Sequence, residues 1–116
     1  MRGVADLTDN EMWTIQSTLR ERYGHDVEVE LADSEIRLQP TDRELTTCPI
    51  AYWTHDDCNF VVIKTGEKSY RGQFFYRLHQ QYGTGIDEYD DLAECMVSLL
   101  QAQADHERTR KQDSNA

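Results

Sequence analysis

"PIAYWTHDDCNFVVIKTGEKSYRGQFFYRLHQQY", Pro49 to Tyr82, decides the fold. It is dense in β-branched and aromatic residues and is broken by two short polar points, "HDD" at 55–57 and "GE" at 66–67. That is the pattern of successive strands joined by tight turns. It predicts strands near Ile50–Thr54, Asn59–Lys64 and Ser69–His79. A helix over "QFFYRLHQQY" is the rival for the last segment, but its aromatic density and the turn before it favour a strand. Gly72 inside that strand predicts a bulge or a close neighbour.

Working outward, "DVEVELADSEIRLQP" (26–40) alternates apolar and acidic residues. Val27, Val29 and Leu31, then Ile36 and Leu38 beyond "ADS", predict a hairpin with one apolar face, ended by Pro40. "TDRELTT" (41–47) is a polar connection. Upstream, Thr8 and Glu11 have the spacing of a capping box, and Leu7 and Met12 that of a hydrophobic staple. Met12, Ile15, Leu19 and Tyr23 then form a helical stripe, and Gly24 stops it, which predicts a helix over Thr8–Tyr23. After "YGTG", the stripe of Tyr89, Leu92, Met96, Leu99 and Gln103, with Ala93 and Leu100 beside it, predicts a second helix over Glu88–His106.

Residues 1–7 read as a frayed N-terminus, 8–106 as a single α+β domain and 107–116 as a disordered polar tail. Short connections make neighbouring strands antiparallel, and two amphipathic helices cover one sheet face. The expected fold is thus a two-layer α+β domain, α-β-β-β-β-β-α, with one antiparallel sheet and both helices packed on the same face. Frataxin-like and profilin-like proteins resemble it in order of elements. No motif accompanies that likeness, and it assigns no family.

Composition narrows the class. A chain of 116 residues fits one domain. Hydrophobic content of 38% and charged content of 29% fit a globular chain and exclude a disordered one. No apolar run is long enough to span a membrane, and "MRGVADLTD" has no signal-peptide core. Three irregularly spaced cysteines suit reduced thiols, hence a cytoplasmic location. Twelve Lys+Arg against 22 Asp+Glu give a net charge of −10, which disfavours nonspecific binding to nucleic acid or anionic lipid.

Against that acidity, "SYRGQFFYRLHQQYGTG" (69–85) contains no aspartate or glutamate. A three-residue "HDD" loop sets Ala51 opposite Val61 and Trp53 opposite Asn59; a two-residue "GE" turn sets Ile63 opposite Tyr70. In that register one face carries Ala51, Trp53, Val61, Ile63, Tyr70 and Phe74. The other carries Tyr52, Phe60, Val62 and Phe75, edged by Arg71, Arg77 and His79. A slip of one residue exchanges these assignments. An apolar patch with a polar rim marks an interaction surface, so Tyr52, Phe60, Arg71, Phe75, Arg77 and His79 are the expected partner-binding residues. The alternative is that the 41–47 loop or a terminal segment closes over the patch as a second core.

The resulting expectation is a small, acidic, non-enzymatic module that contacts a protein partner or a second copy of itself. One alternative is a ligand-binding or enzymatic domain with a pocket between sheet and helices, and His79 or His55 as its titrating group. Another is a single-stranded nucleic-acid platform built on Arg71, Phe75, Arg77 and His79, although the RNA-recognition signature is absent. No cofactor is implied. Cys48, His55 and Cys58, with His79, match no zinc spacing, and a strand puts Cys48 roughly 20 Å from the turn at His55. Cys95 reads as a packing residue, since nothing near it in sequence lowers its pKa. The glycines of "YGTGIDEYDDL" precede a helix start, but Asp87, Glu88, Asp90 and Asp91 there repel an anion. With Glu94, those acids form a solvated face open to a basic partner.

Overall fold

The computed structural model describes residues 3–76 and 81–114, with the side chains of 81 and 110–114 left undescribed. Arg77 and His79 therefore lie outside the described residues. The elements run α1 (Asp9–Tyr23), β1 (Glu30–Ile36), β2 (Thr46–His55), β3 (Cys58–Gly66), β4 (Ser69–Phe75), β5 (Gln81–Gly83) and α2 (Leu92–Ser114). One antiparallel sheet has the order β1-β2-β3-β4-β5, and α1 and α2 cover one face. This is the expected two-layer α+β architecture. Among the described residues no helix is long and apolar enough to cross a membrane.

α1 is punctuated as its sequence dictates. The Thr8 hydroxyl accepts the Glu11 N–H at 3.1 Å, and Glu11 Oε1 accepts the Thr8 N–H at 2.7 Å, completing the capping box. Gly24 closes the helix in the left-handed region (φ 78°), its N–H donating to Arg20 O. Ile15 and Leu19 are buried, and Leu7 and Met12 pack together with them at the core edge. In α2 the buried positions are Leu92, Cys95, Met96, Leu99 and Leu100, while Ala93 is exposed.

Three local expectations are corrected. The "ADS" stretch does not turn: β1 passes straight through it, pairing residue by residue with β2 from Glu30↔Tyr52 to Ile36↔Thr46. Because strand side chains alternate, Val29 and Leu31 fall on the helix side and Ile36 on the other. The apolar pattern changes face along one strand, and a hairpin is not needed to explain it. The fifth strand is instead Gln81–Gly83, paired with β4. At the second helix, Tyr89 lies outside α2 and exchanges two backbone hydrogen bonds of 2.8 Å with Tyr70. Asp91 caps α2, accepting the Ala93 N–H at 2.8 Å.

Val4 N–H donates to Thr47 O at 2.9 Å, and Lys64 Nζ donates to Asp6 O at 3.2 Å, so the N-terminal segment is tied to the sheet. α2 continues to Ser114. Residues 107–114 include no glycine or proline to stop it, and Glu107 accepts the Tyr76 hydroxyl at 2.7 Å.

Candidate functional site

Register decides which side chains share a face. Asp56 and Asp57 both have positive φ (49° and 65°), and His55 pairs with Cys58. The hairpin loop is therefore the two-residue, type I′-like turn "DD", whose twist matches the strands, and not the three-residue "HDD". Ala51 then faces Val62, and Trp53 faces Phe60. The β3–β4 ladder shifts by one residue between Lys64 and Gly66, leaving Val62 opposite Gly72 and Phe60 opposite Phe74.

This one-residue slip moves Phe60 and Val62 to the helix-covered face. Phe60 is 1% exposed and stacks on Trp53 at 5.3 Å between ring centroids. It belongs to the core and is withdrawn from the contact surface. Val61 and Ile63 take the places of Phe60 and Val62 on the opposite face. The sequence signal was present in Asp56-Asp57, since aspartate tolerates left-handed backbone better than most residues.

The face turned away from the helices has two zones. At one end the chain leaving β1 is pinned over the sheet: Arg71 Nη2 donates to Leu38 O at 3.0 Å, and Arg71 Nε pairs with Glu88 at 3.2 Å. Cys48 and Ile63 are buried there. Beside them lies a groove of about 840 Å³ bordered by Arg37–Pro40, Arg71, Gln73 and the 83–88 loop. At the other end Tyr52, Val61, Gln73 and Phe75 are half-buried. The Tyr52 hydroxyl donates to Asn59 Oδ1 at 2.5 Å, and Asn59 Nδ2 donates to Phe75 O at 3.1 Å.

Of the expected contact residues, Tyr52, Phe75 and Arg71 share this face, Tyr52 and Phe75 at one end and Arg71 at the other. One end of this face is covered by the chain leaving β1. The segment over the closed zone is Leu38 and its neighbours, upstream of the 41–47 loop.

The other candidates are placed as follows. Cys48 and His55 lie on opposite faces of β2 by alternation, and the His55 ring stacks on Tyr23 at 3.8 Å. Among the described residues, no group of three or more His, Cys, Asp or Glu is positioned to hold a metal ion. Cys95 is fully buried, and burial pushes its thiol pKa up to about 12, away from thiolate chemistry. The space between sheet and α2 is filled: a Cβ on Gly72 would lie 3.3 Å from both Cys95 Sγ and Leu99 Cδ2. Gly72 is a point of close approach, and the ladder irregularity lies elsewhere, at Lys64/Gly66.

Glu11, which the sequence marks only as part of the capping box, also joins Lys64 and Tyr70 in a polar cluster under α1. Lys64 is 3% exposed and pairs with Glu11 at 2.8 Å; the Tyr70 hydroxyl donates to the other Glu11 oxygen. Burial alone would raise the Glu11 pKa. Hydrogen bonds from Lys64, Tyr70 and the Thr8 N–H, with the Lys64 charge, outweigh it and hold the carboxyl below its usual value.

Compared with protein-family models, curated proteins and solved structures, the chain matches none.

Proposed function

We propose that this domain is a protein-interaction module of the cytoplasm, acting through the open zone around Tyr52, Val61 and Phe75. One observation carries the proposal: a sheet face with half-buried aromatic and aliphatic side chains, among which the Tyr52 hydroxyl and the Asn59 amide are already bonded within the chain. Covering such a surface removes apolar area from water and strands few polar groups. The three cysteines, all buried thiols, suit a reducing compartment.

The alternatives have less behind them. A pocket between sheet and helices has little room where Gly72 meets Cys95 and Leu99. A nucleic-acid platform needs cations facing outward, and Arg71 is engaged by Glu88 and Leu38.

The test is a tagged chain and its Phe75→Glu variant, compared in native extract after cross-linking, with urea melts to verify folding. The wild-type chain should hold a stoichiometric protein contact that the folded variant loses. A folded Phe75→Glu chain with unchanged contacts overturns the proposal.

A further inference from the structure

We infer that the free edge of β1 takes an extended segment of another protein as an added strand, one that alternates apolar with basic residues. This edge stands apart from the zone around Val61 and Phe75, and neither surface requires the other.

β1 is the outer strand of the order β1-β2-β3-β4-β5, so only one of its sides is paired. All seven residues pair with β2 in continuous register. On the other side roughly half of their N–H and C=O groups point outward, as at any antiparallel edge. Proteins commonly close such an edge with a proline, a bulge or a covering segment. β1 has no proline and no register shift. Among the described residues, no other backbone bonds to its outer side.

The helix layer also stops short of this edge. Leu31 lies on the helix side, opposite Ala51, yet is 57% exposed. A hollow of about 330 Å³ lies there among Leu7, Leu31 and Pro49. Another, of about 460 Å³, lies just before the strand between Val27 and Trp13, whose side chain is 70% exposed. An added strand sends every second side chain to that side, where apolar ones cover Leu31 and reach the hollows.

Charge selects the rest of the partner. Residues 26–36 include five carboxylates and no lysine or arginine. Asp26 pairs with Arg20. Glu28, Glu30, Asp33 and Glu35 are exposed and, among the described residues, have no ion-pair partner. Pairing β1 with β1 of a second copy sets carboxylate against carboxylate, which is unfavourable, whereas lysine or arginine across from them is favourable. The acids thus turn away a second copy and admit a cationic strand. Because these attractions are exposed, binding weakens as salt is added.

The experiment is fluorescence anisotropy with the full chain and a labelled peptide of about nine residues, long enough to span β1, that alternates lysine with valine. Hydrogen exchange over residues 30–36 is followed alongside. Control peptides carry glutamate in place of lysine, or a methyl group on every backbone nitrogen. The expected result is binding by the lysine peptide alone, weakened by salt, with new protection of β1 amides. Asp33→Lys/Glu35→Lys should weaken it by about tenfold or more, and Leu31→Ser by about threefold or more. All three side chains are exposed, so the fold should survive, with urea melts as the check. If the double variant fails to fold, Leu31→Ser and the exchange pattern carry the test.

A lysine peptide that does not bind up to about a millimolar overturns the inference, and the acids then serve only to keep edges apart. So does equal binding of the methylated peptide without protection of β1, which is attraction of charge alone. Neither result touches the proposal for the other face, which turns on Phe75→Glu in extract. A folded Phe75→Glu chain should bind the lysine peptide as the wild type does. Loss of the peptide in that variant would place it on the Phe75 face and overturn the inference.

Discussion

Lys64 Nζ lies 2.8 Å from Glu11 Oε1, and that same oxygen accepts the Thr8 N–H at 2.7 Å. One glutamate thus caps α1 and ties it to β3, while its second oxygen accepts the Tyr70 hydroxyl from β4. Lys64 is buried and Glu11 nearly so, with side chains 4% and 11% exposed. Removing one partner strands the other's charge, so Lys64→Met should destabilise by about 3–5 kcal/mol in urea melts. The double replacement Glu11→Gln/Lys64→Met should cost less than the sum of the single changes. Additive losses would show that the pair is not coupled.

Acid should undo the same contact. The folded chain holds Glu11 below its ordinary pKa, so the unfolded chain binds the proton more readily. Its contribution is complete above the unfolded value, near 4.5, and is lost as pH falls through the lower folded value. Glu11→Gln should therefore be less stable at neutral pH yet decline less steeply below about pH 4.5. Equal slopes for the two chains in a pH series of urea melts would place the acid sensitivity elsewhere.

Gly72 sets how closely α2 approaches the sheet. Its missing Cβ would meet Cys95 Sγ and Leu99 Cδ2, both at 3.3 Å. Gly72→Ala should cost about 1–3 kcal/mol through overpacking. In a Cys95→Ala background the penalty should shrink, because the sulfur that crowds the new methyl is gone. A penalty of the same size in both backgrounds, measured by denaturant midpoint, would mean that crowding is not its cause.

Both helices were legible because their signals are local. Thr8, Glu11 and Gly24 punctuate α1, and an apolar stripe continues through Leu92, Met96 and Leu99. The sheet was harder, because strand identity is local but facing is not. Val27, Val29, Ile36 and Leu38 fit a hairpin or one strand that changes face, and only pairing with β2 decides. Tyr52, Arg71 and Phe75 share a face of the sheet, whereas Phe60 lies on the other, because its turn is one residue shorter than the sequence suggests. The Glu11–Lys64–Tyr70 cluster joins residues more than 50 positions apart, and nothing in their spacing announces it.

The turn that fixed the facing offers the last test. Asp56 and Asp57 sit at φ 49° and 65°, where side-chain-bearing residues are strained and glycine is not. Asp57→Gly relieves that strain but loosens the unfolded chain, so it should be neutral or stabilise by up to about 1 kcal/mol. Asp57→Val puts a β-branched side chain where left-handed backbone is most costly, and should destabilise by about 1–2 kcal/mol. Both effects should appear as shifts of the urea midpoint at unchanged slope. The contrast discriminates between registers. A three-residue "HDD" loop pairs Ala51 with Val61 and has no need of left-handed backbone at both aspartates. If valine at position 57 is tolerated as well as glycine, the two-residue turn is wrong, and Phe60 and Val61 exchange faces.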